Sequence, residues 1–228
     1  MTPERFIDSV LRLRPRTAAF DCDGTLWAGD SGQDFFYWEI EEGIVPAEVA
    51  RWAIPRYADY KAGKVDEATM CGEMVTVNAG VEEETLRRAA HRFFEQRIRR
   101  RIFPALQKLT RKLADAGCEL WAVSSTNQWV VAEGASRFGI PSERVLAASV
   151  HIQDGRATDR LMAVPTGPEK ARALAARLRS LDVAFGNSVH DLALLELARH
   201  RFIVNPSPDL RTIATTRSWP IFDAPPPV

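Results

Sequence analysis

The sequence has few cysteines, no excess of either charge and no long apolar segment. Its three cysteines, Cys22, Cys71 and Cys118, are odd in number and far apart, which is typical of reduced, buried thiols in a cytosolic protein. Thirty basic and thirty acidic side chains give a formal net charge of zero. Nucleic-acid and anionic-membrane partners normally require a basic excess, so we expect neither of them.

Targeting and membrane segments are also absent from the sequence pattern. No window approaches the roughly 20 consecutive apolar residues of a membrane-spanning helix. Residues 1–8 lack the basic and apolar segments of a secretion signal. We therefore expect a cytoplasmic protein, and its 228 residues are enough for one core plus a modest accessory module.

Two classes of enzyme are disfavoured by missing motifs. Neither G-x-x-x-x-G-K-[ST] nor G-x-G-x-x-G follows a predicted strand, which disfavours the nucleotide-binding folds that use these loops. A zinc hydrolase is disfavoured because the four histidines are scattered along the sequence and form no zinc-binding motif. The four are His91, His151, His190 and His200.

From residue 102 onward, predicted helices and strands alternate. Apolar runs end at turn residues over 118–123, 183–185 and 202–204, and Asp154-Gly155 indicates a hairpin within 150–162. Helical spacing is found over 104–116, 128–138 and 168–179. This alternation predicts parallel βαβ units, and hence an α/β protein with a Rossmann-like, three-layer core built on a parallel sheet.

The segment between the first strand and this alternating region is different. Residues 31–101 are rich in charge and aromatic side chains and contain no convincing strand. We expect a small helical cap at 31–101, inserted after the first strand, with the core formed by 1–30 and 102–228. The aromatic run from Phe35 to Trp38 is consistent with core packing, which we favour, or with a cage for a cationic group.

The stretch from Thr17 to Asp30 carries the strongest chemical pattern. An apolar run ends in two carboxylates one residue apart, Asp21 and Asp23, followed by Gly24. If the run is a buried strand, both carboxylates lie where open α/β sheets bind ligands. Two buried like charges this close need a cation or a proton between them, which indicates a metal ion. The alternative is an ordinary Asp-Gly surface turn.

Polar residues recur at the later predicted loops. Ser124 follows an apolar run, Lys170 opens a helix, and Asn187 and Asp191 follow another run. Taken singly, each has an ordinary explanation. Ser124 could cap a helix, Lys170 could be a surface lysine, and Asp191 could favour a helix dipole.

Taken together, their order and spacing resemble the haloacid dehalogenase-like superfamily, and within it the phosphoserine-phosphatase-like branch. The matching residues are Asp21-Cys22-Asp23-Gly24-Thr25-Leu26 for the first motif, Ser124 for the second, Lys170 for the third and Gly186-Asn187-Ser188-Val189-His190-Asp191, in spacing, for the fourth. The resemblance covers nearly the whole chain.

This resemblance implies a Mg²⁺-dependent phosphatase acting on a small phosphorylated metabolite, as a monomer or homodimer. Asp21 would be the nucleophile that forms an aspartyl phosphate, and Asp23 the general acid and base. The residues implied for binding phosphate or substrate are Ser124, Ser125, Lys170, Gly24 and Asp30, and the N–H groups around Gly24 and Thr25 would be further donors. The residues implied for binding the metal are Asp21, Asp23 (through its carbonyl), Asn187 and Asp191.

One residue departs from the family pattern. Asn187 stands where an aspartate is usual, so the metal site loses a negative charge. We therefore keep two alternatives open, a phosphotransferase of the same fold and a catalytically weakened phosphate-binding protein. His190 replaces an Asn of phosphoserine phosphatases and is either a substrate contact or a solvent-facing side chain. Arg51 and Arg56 are candidates for binding a substrate carboxylate.

Overall fold

The computed structural model describes residues 1–226, which form a seven-stranded sheet flanked by helices. The strands are β1 (Thr17–Phe20), β2 (Glu119–Asn127), β3 (Val145–Gln153), β4 (Arg156–Ala163), β5 (Val183–Gly186), β6 (His200–Val204) and β7 (Ile221–Phe222). The helices are α1 (Pro3–Leu11), α2 (Ser31–Glu41), α3 (Ala47–Lys61), α4 (Glu67–Thr76), α5 (Glu83–Phe93), α6 (Pro104–Asp115), α7 (Gln128–Ser136), α8 (Pro168–Ala175), α9 (Leu192–Leu197) and α10 (Pro208–Thr216). Residues 227–228 of the predicted core range lie outside the described residues.

The sheet has the order β4-β3-β2-β1-β5-β6-β7, with β1 at its centre. All neighbouring strands are parallel except β3 and β4, which pair antiparallel as the hairpin predicted at Asp154-Gly155. The predicted α/β fold is therefore confirmed, with one antiparallel edge strand.

Residues on β1 alternate between the two faces of the sheet. Ala18 and Phe20 belong to one apolar cluster, while Ala19 belongs to another. Phe20 stacks on Phe185 at a centroid distance of 4.4 Å within the first cluster, and Trp121 lies in the second. Because both faces of the central strand are covered, the molecule has the three layers expected of a buried parallel sheet.

Segment 31–101 is helical throughout its regular structure. A third apolar cluster joins α2, α3 and α4 through Phe36, Tyr57 and Met70. Phe35 and Trp38, on the same helix as Phe36, pack instead in the main core with α5. These buried aromatic rings support core packing rather than a cage. The separation of 31–101 as a cap domain stays a prediction.

Three local details differ from the sequence-based expectation. Strand β2 runs through Ser124 to Asn127 rather than ending before Ser124, with a register shift against β3 after Val123. Residues 82–101 are dense in Glu, Arg and Ala, which predicts one continuous helix. In the structure this stretch is α-helical only to Phe93 and continues as a π-helical and a 3₁₀ segment. Cys71 is only partly buried, whereas Cys22 and Cys118 are buried as expected, and all three thiols are free.

None of the helices within residues 1–226 has the length and apolar character that a bilayer-spanning segment requires.

Candidate active site

A cavity of about 300 Å³ opens at the carboxyl edge of the sheet. The register explains its position, since Phe20 of β1 is level with Ala122 of β2 and Phe185 of β5. The residues that follow these three positions therefore meet at one edge. The predicted residues that line the cavity are Asp21, Asp23, Asp30, Ser124, Ser125, Lys170, Asn187 and His190.

A buried ionic triad lies beside the cavity, and two of its members, Asp21 and Lys170, line it. The Lys170 ammonium lies 2.7 Å from Asp21 Oδ1 and 2.6 Å from Asp191 Oδ1. All three residues are almost fully buried, and Thr25 Oγ1 donates to the other oxygen of Asp21 at 3.0 Å. A lysine of α8 thus holds together carboxylates that follow β1 and β5.

The pKa values of Asp21 and Lys170 are both raised, but for different reasons. Burial, followed by the repulsion from Asp191, raises the pKa of Asp21 to about 7. Burial of Lys170 favours its neutral amine, but the Asp191 and Asp21 carboxylates outweigh this and raise its pKa. The ammonium therefore stays charged, and a further cation at Asp21 would favour the carboxylate that nucleophilic attack needs.

The Asp23 carboxylate is fixed by three donors. Its Oδ1 accepts from Trp27 Nε1 at 2.6 Å and from the Ser31 N–H at 2.8 Å. Its Oδ2 accepts from Thr126 Oγ1 at 2.8 Å. Asp23 is thus oriented by the loop after β1, the start of α2 and the end of β2, and the sequence pattern indicated none of these contacts.

The turn after Asp23 corrects one expectation. The Gly24 N–H donates to the Trp27 carbonyl at 2.7 Å and the Thr25 N–H to the Cys22 carbonyl at 3.1 Å. These two groups are therefore engaged in the turn and are not free phosphate donors, and Gly24 does not line the cavity. Within residues 1–226, the N–H groups of Cys22 and Asp23 make no hydrogen bond to the protein.

Asp191 is fully engaged by hydrogen bonds. One oxygen contacts Lys170, and the other accepts from the N–H groups of Asn187 and Ser188 at 2.9 and 3.0 Å. Its side chain is completely buried, so both oxygens are committed to fixing the loop after β5. This arrangement favours the orienting role for Asp191 over direct metal ligation.

Asn187 contacts the first motif directly. A Cβ placed on Gly24 would lie 1.9 Å from Asn187 Nδ2, and Gly24 has a φ of +76°. Only glycine allows this close approach without strain. The contact places the Asn187 amide beside the loop that carries Asp21 and Asp23.

The donor set at this edge fits Mg²⁺. Within residues 1–226, no three His, Cys, Asp or Glu side chains are clustered as a ready-made metal site, as a zinc centre would require. Mg²⁺ instead takes oxygen ligands, retains several waters and often uses only one or two carboxylates. Asp21, the carbonyl of Asp23 and the amide oxygen of Asn187 would supply such ligands.

The opposite wall of the cavity comes from the helical segment. Its lining residues are Gln33, Tyr57, Tyr60, Glu67, Cys71 and Met74. Glu67 Oε2 lies 2.5 Å from His190 Nδ1, so α4 is paired with the loop after β5. Sequence reasoning missed these residues, because the segment shows no motif that marks which of its helix faces meets the core.

Neither candidate arginine reaches the cavity. The Arg56 guanidinium forms an ion pair with Glu73 at 2.8 Å, and Arg51 is exposed on α3. Among the described residues no arginine lines the cavity. The proposed carboxylate-binding role for these two residues therefore has no support in the structure.

A parallel α/β core with two strand-end carboxylates, a buried lysine and a helical wall defines a hydrolase-type site. The chain belongs to the haloacid dehalogenase-like hydrolase family, whose profile matches residues 18–196. The resemblance found in the sequence is confirmed, and the chain is an enzyme of the phosphatase type within this family.

Individual relatives are moderately similar over most of the chain. A histidinol-phosphatase of Neisseria meningitidis is 27% identical over 218 residues, covering 90% of this chain and 97% of that protein. Phosphoserine phosphatase SerB1 of Mycobacterium tuberculosis is 30% identical over 141 residues, covering 57% of this chain and 44% of that protein.

Solved structures show the same architecture. A protein of unknown function from Bordetella pertussis Tohama I superposes with a TM-score of 0.79 at 26% identity, covering 92% of this chain and 99% of that chain. A substrate-bound phosphoserine phosphatase superposes with a TM-score of 0.59 at 18% identity, covering 87% of this chain and 90% of that chain. The second likeness bears on the fold alone.

Proposed function

We propose that the chain is a Mg²⁺-dependent phosphatase that hydrolyses a small phosphate monoester through an aspartyl phosphate on Asp21. The observation that carries the proposal is the Asp21 carboxylate itself. It is buried at the end of the central strand, lies 2.7 Å from Lys170 and lines a cavity of about 300 Å³.

Hydrolysis proceeds in two displacements. An Asp21 carboxylate oxygen attacks phosphorus and the bond to the alcohol oxygen breaks, while Asp23 gives its proton to the departing alcohol. Water then attacks the aspartyl phosphate, Asp23 takes its proton, and inorganic phosphate leaves. The three donors on Asp23 hold its carboxyl group in place for both proton transfers.

The phosphoryl oxygens need donors as negative charge is redistributed. Ser124 and Ser125 line the cavity and follow the apolar part of β2. The Lys170 ammonium supplies a fixed positive charge, and the free N–H groups of Cys22 and Asp23 add donors beside the nucleophile. Asp30 lies at the rim, where it contacts the alcohol part.

Asp21, the Asp23 carbonyl and Asn187 hold Mg²⁺, and Asp191 orients Asn187 and Lys170. When bound, Mg²⁺ neutralises charge on Asp21 and the phosphoryl oxygens. We further propose that residues 31–101 act as a cap that shields the reacting groups from bulk water.

The substrate is a small phosphorylated metabolite, in line with the histidinol-phosphatase and phosphoserine phosphatase among the relatives. The balanced charge of the chain argues against a nucleic-acid substrate. The free thiols support a reducing, cytoplasmic setting. We propose a monomer or homodimer.

Free phosphate release tests the proposal. The purified protein is incubated with Mg²⁺ and a panel of phosphate monoesters that includes p-nitrophenyl phosphate, and Asp21→Asn serves as the matched variant. We expect wild-type turnover that EDTA abolishes and excess Mg²⁺ restores, and no turnover by Asp21→Asn. Turnover that survives in Asp21→Asn would contradict the aspartyl-phosphate route.

Asn187 motivates a second candidate, a phosphate-binding protein with little turnover. Saturable phosphate binding without hydrolysis of any ester in the panel would favour it. Transfer of the phosphoryl group to an added alcohol would indicate the phosphotransferase instead.

A further inference from the structure

A second cavity lies apart from the active-site cavity. It has a volume of about 340 Å³ and is bounded by α7, α8 and the hairpin of β3 and β4. Among the described residues, none lines both cavities. The candidate catalytic residues therefore do not account for the second cavity, and its own side chains must indicate what it binds.

Most side chains of the second cavity are apolar. Small residues on three different elements leave its volume unfilled, namely Ala132 on α7, Ala147 on β3 and Ala173 on α8. Met162, which is 60% exposed, also lines it. A cavity of this size and lining accepts a small organic molecule with an apolar body.

Several polar side chains of the second cavity are available as hydrogen-bond donors. Trp129 is 3% exposed, and its indole Nε1 has no hydrogen-bond partner within residues 1–226. Gln128 Oε1 accepts from the Val150 N–H at 3.3 Å, which leaves the amide N–H groups of Gln128 to donate. Buried donors in proteins normally have an acceptor. A ligand that carries acceptor oxygens would supply one.

The second cavity also carries positive charge. Arg87 and Arg177 line it, and within the described part of the chain none of its lining residues is acidic. Arg87 pairs with Glu83 at 2.5 Å, whereas the exposed Arg177 forms no ion pair within residues 1–226. A guanidinium group binds a planar carboxylate through two parallel N–H donors. One guanidinium without a counter-charge favours a monoanion over a phosphate dianion.

From these features we propose that the second cavity binds a small molecule with a flat apolar body and one carboxylate. Arg177 is the main partner of the carboxylate, and the apolar body occupies the space beside Ala173. Binding at this cavity does not require turnover at Asp21, so it can be tested independently of the proposed phosphatase activity.

Three probes of matched shape test the ligand class by isothermal titration calorimetry with the full-length protein. They are 2-naphthoate, the neutral 2-naphthalenemethanol and the cationic 2-naphthylmethylammonium. We expect the Kd of 2-naphthoate to be about tenfold or more below that of the neutral probe, with the cation binding most weakly. Equal Kd values for the three probes, or a preference for the cation, would overturn the proposal.

Variants of α8 and the residues after it locate the bound probe. Ala173→Leu fills the cavity and should weaken 2-naphthoate binding about tenfold or more, whereas Ala175→Leu, on the same helix but outside both cavities, should not. Arg177→Gln should bring the Kd values of 2-naphthoate and the neutral probe close together. Arg172→Gln, also outside both cavities, should keep the wild-type difference.

Thermal melting by circular dichroism shows whether each variant is folded before titration. Arg177 is exposed, so Arg177→Gln should melt like the wild type and still decides the question if Ala173→Leu does not fold. A probe held in the active-site cavity instead would bind Arg177→Gln as tightly as it binds the wild type. That result would overturn the proposal.

Discussion

Gly24 and Asn187 lie in direct contact, so close that a Cβ on Gly24 would be 1.9 Å from the Asn187 amide nitrogen. The contact joins the loop after β1 to the loop after β5. The one residue that departs from the family pattern is therefore packed against the motif that carries both aspartates. An aspartate has the same shape as asparagine, so it would fit beneath Gly24 as well.

The Asn187→Asp variant tests how much the missing carboxylate weakens Mg²⁺ binding. We expect the variant to reach half-maximal activity at a lower Mg²⁺ concentration, because a carboxylate attracts the cation more strongly than an amide does. Titrating phosphatase activity with Mg²⁺ for both proteins measures the difference. Superimposable curves would show that Asn187 does not limit metal binding.

Thr126→Val should slow the proton transfers by removing the donor on Asp23 Oδ2. The hydroxyl lies 2.8 Å from that oxygen, and valine keeps the volume without the hydrogen bond. We expect kcat to fall roughly tenfold or more, since general acid–base catalysis depends on a positioned carboxyl group. Thr126→Ser retains the hydroxyl and should keep most of the activity. Equal loss in both variants would point to packing instead.

Lys170→Met should destabilise the fold as well as abolish turnover. The lysine is buried between Asp21 and Asp191, and its removal leaves two buried carboxylates without a counter-charge. Breaking such a group typically costs about 3 kcal/mol. Urea unfolding at neutral pH measures this loss, which should shrink at acid pH as carboxylates protonate. The exposed Lys112→Met, by comparison, should unfold like the wild type.

Glu39→Gln should stabilise the protein increasingly as pH rises. Glu39 is completely buried, and neither carboxylate oxygen has a hydrogen-bond partner within the described residues. Burial raises the pKa of Glu39 well above its ordinary value of 4.5. The folded state therefore holds a proton that the unfolded state releases.

This difference in proton binding sets the direction in which the free energy of unfolding changes with pH. The contribution of Glu39 to stability is complete below about pH 4.5 and is lost as pH rises towards the folded-state pKa, at about 1.4 kcal/mol per pH unit. Glutamine removes this dependence. Unfolding free energies measured from pH 5 to 8 should thus diverge in favour of Glu39→Gln, whereas the exposed Glu41→Gln on the same helix should follow the wild type. Parallel curves for Glu39→Gln would contradict this account.

Much of the active-site edge could be predicted from the sequence. Asp21, Ser124 and Asn187 each follow an apolar run in an alternating pattern, and parallel strands bring such positions to one edge of the sheet. Lys170 could be placed there through the family motif. The engaged N–H groups of Gly24 and Thr25 could not be foreseen, because their partners depend on how the turn closes.

The helical segment 31–101 shows more clearly what could not be predicted from the sequence. Composition predicted its helices, and the structure confirms helical secondary structure over 31–101. It could not indicate that Phe36 packs within the segment while Phe35 packs into the main core. Adjacent residues on a helix face different neighbours. The packing of α2 between two apolar clusters decides which cluster each of its side chains joins.

The sequence by itself determined the order of strands and helices and the positions of the polar residues at strand ends. These depend on local periodicity and on the geometry common to all parallel sheets. Only the tertiary structure decided that the two carboxylate oxygens of Asp191 accept hydrogen bonds from Lys170 and from the loop after β5. It also decided that Glu67 and Tyr57 line the active-site cavity. Such contacts join residues distant in the chain, and their distances are set by side-chain packing, which no local pattern records.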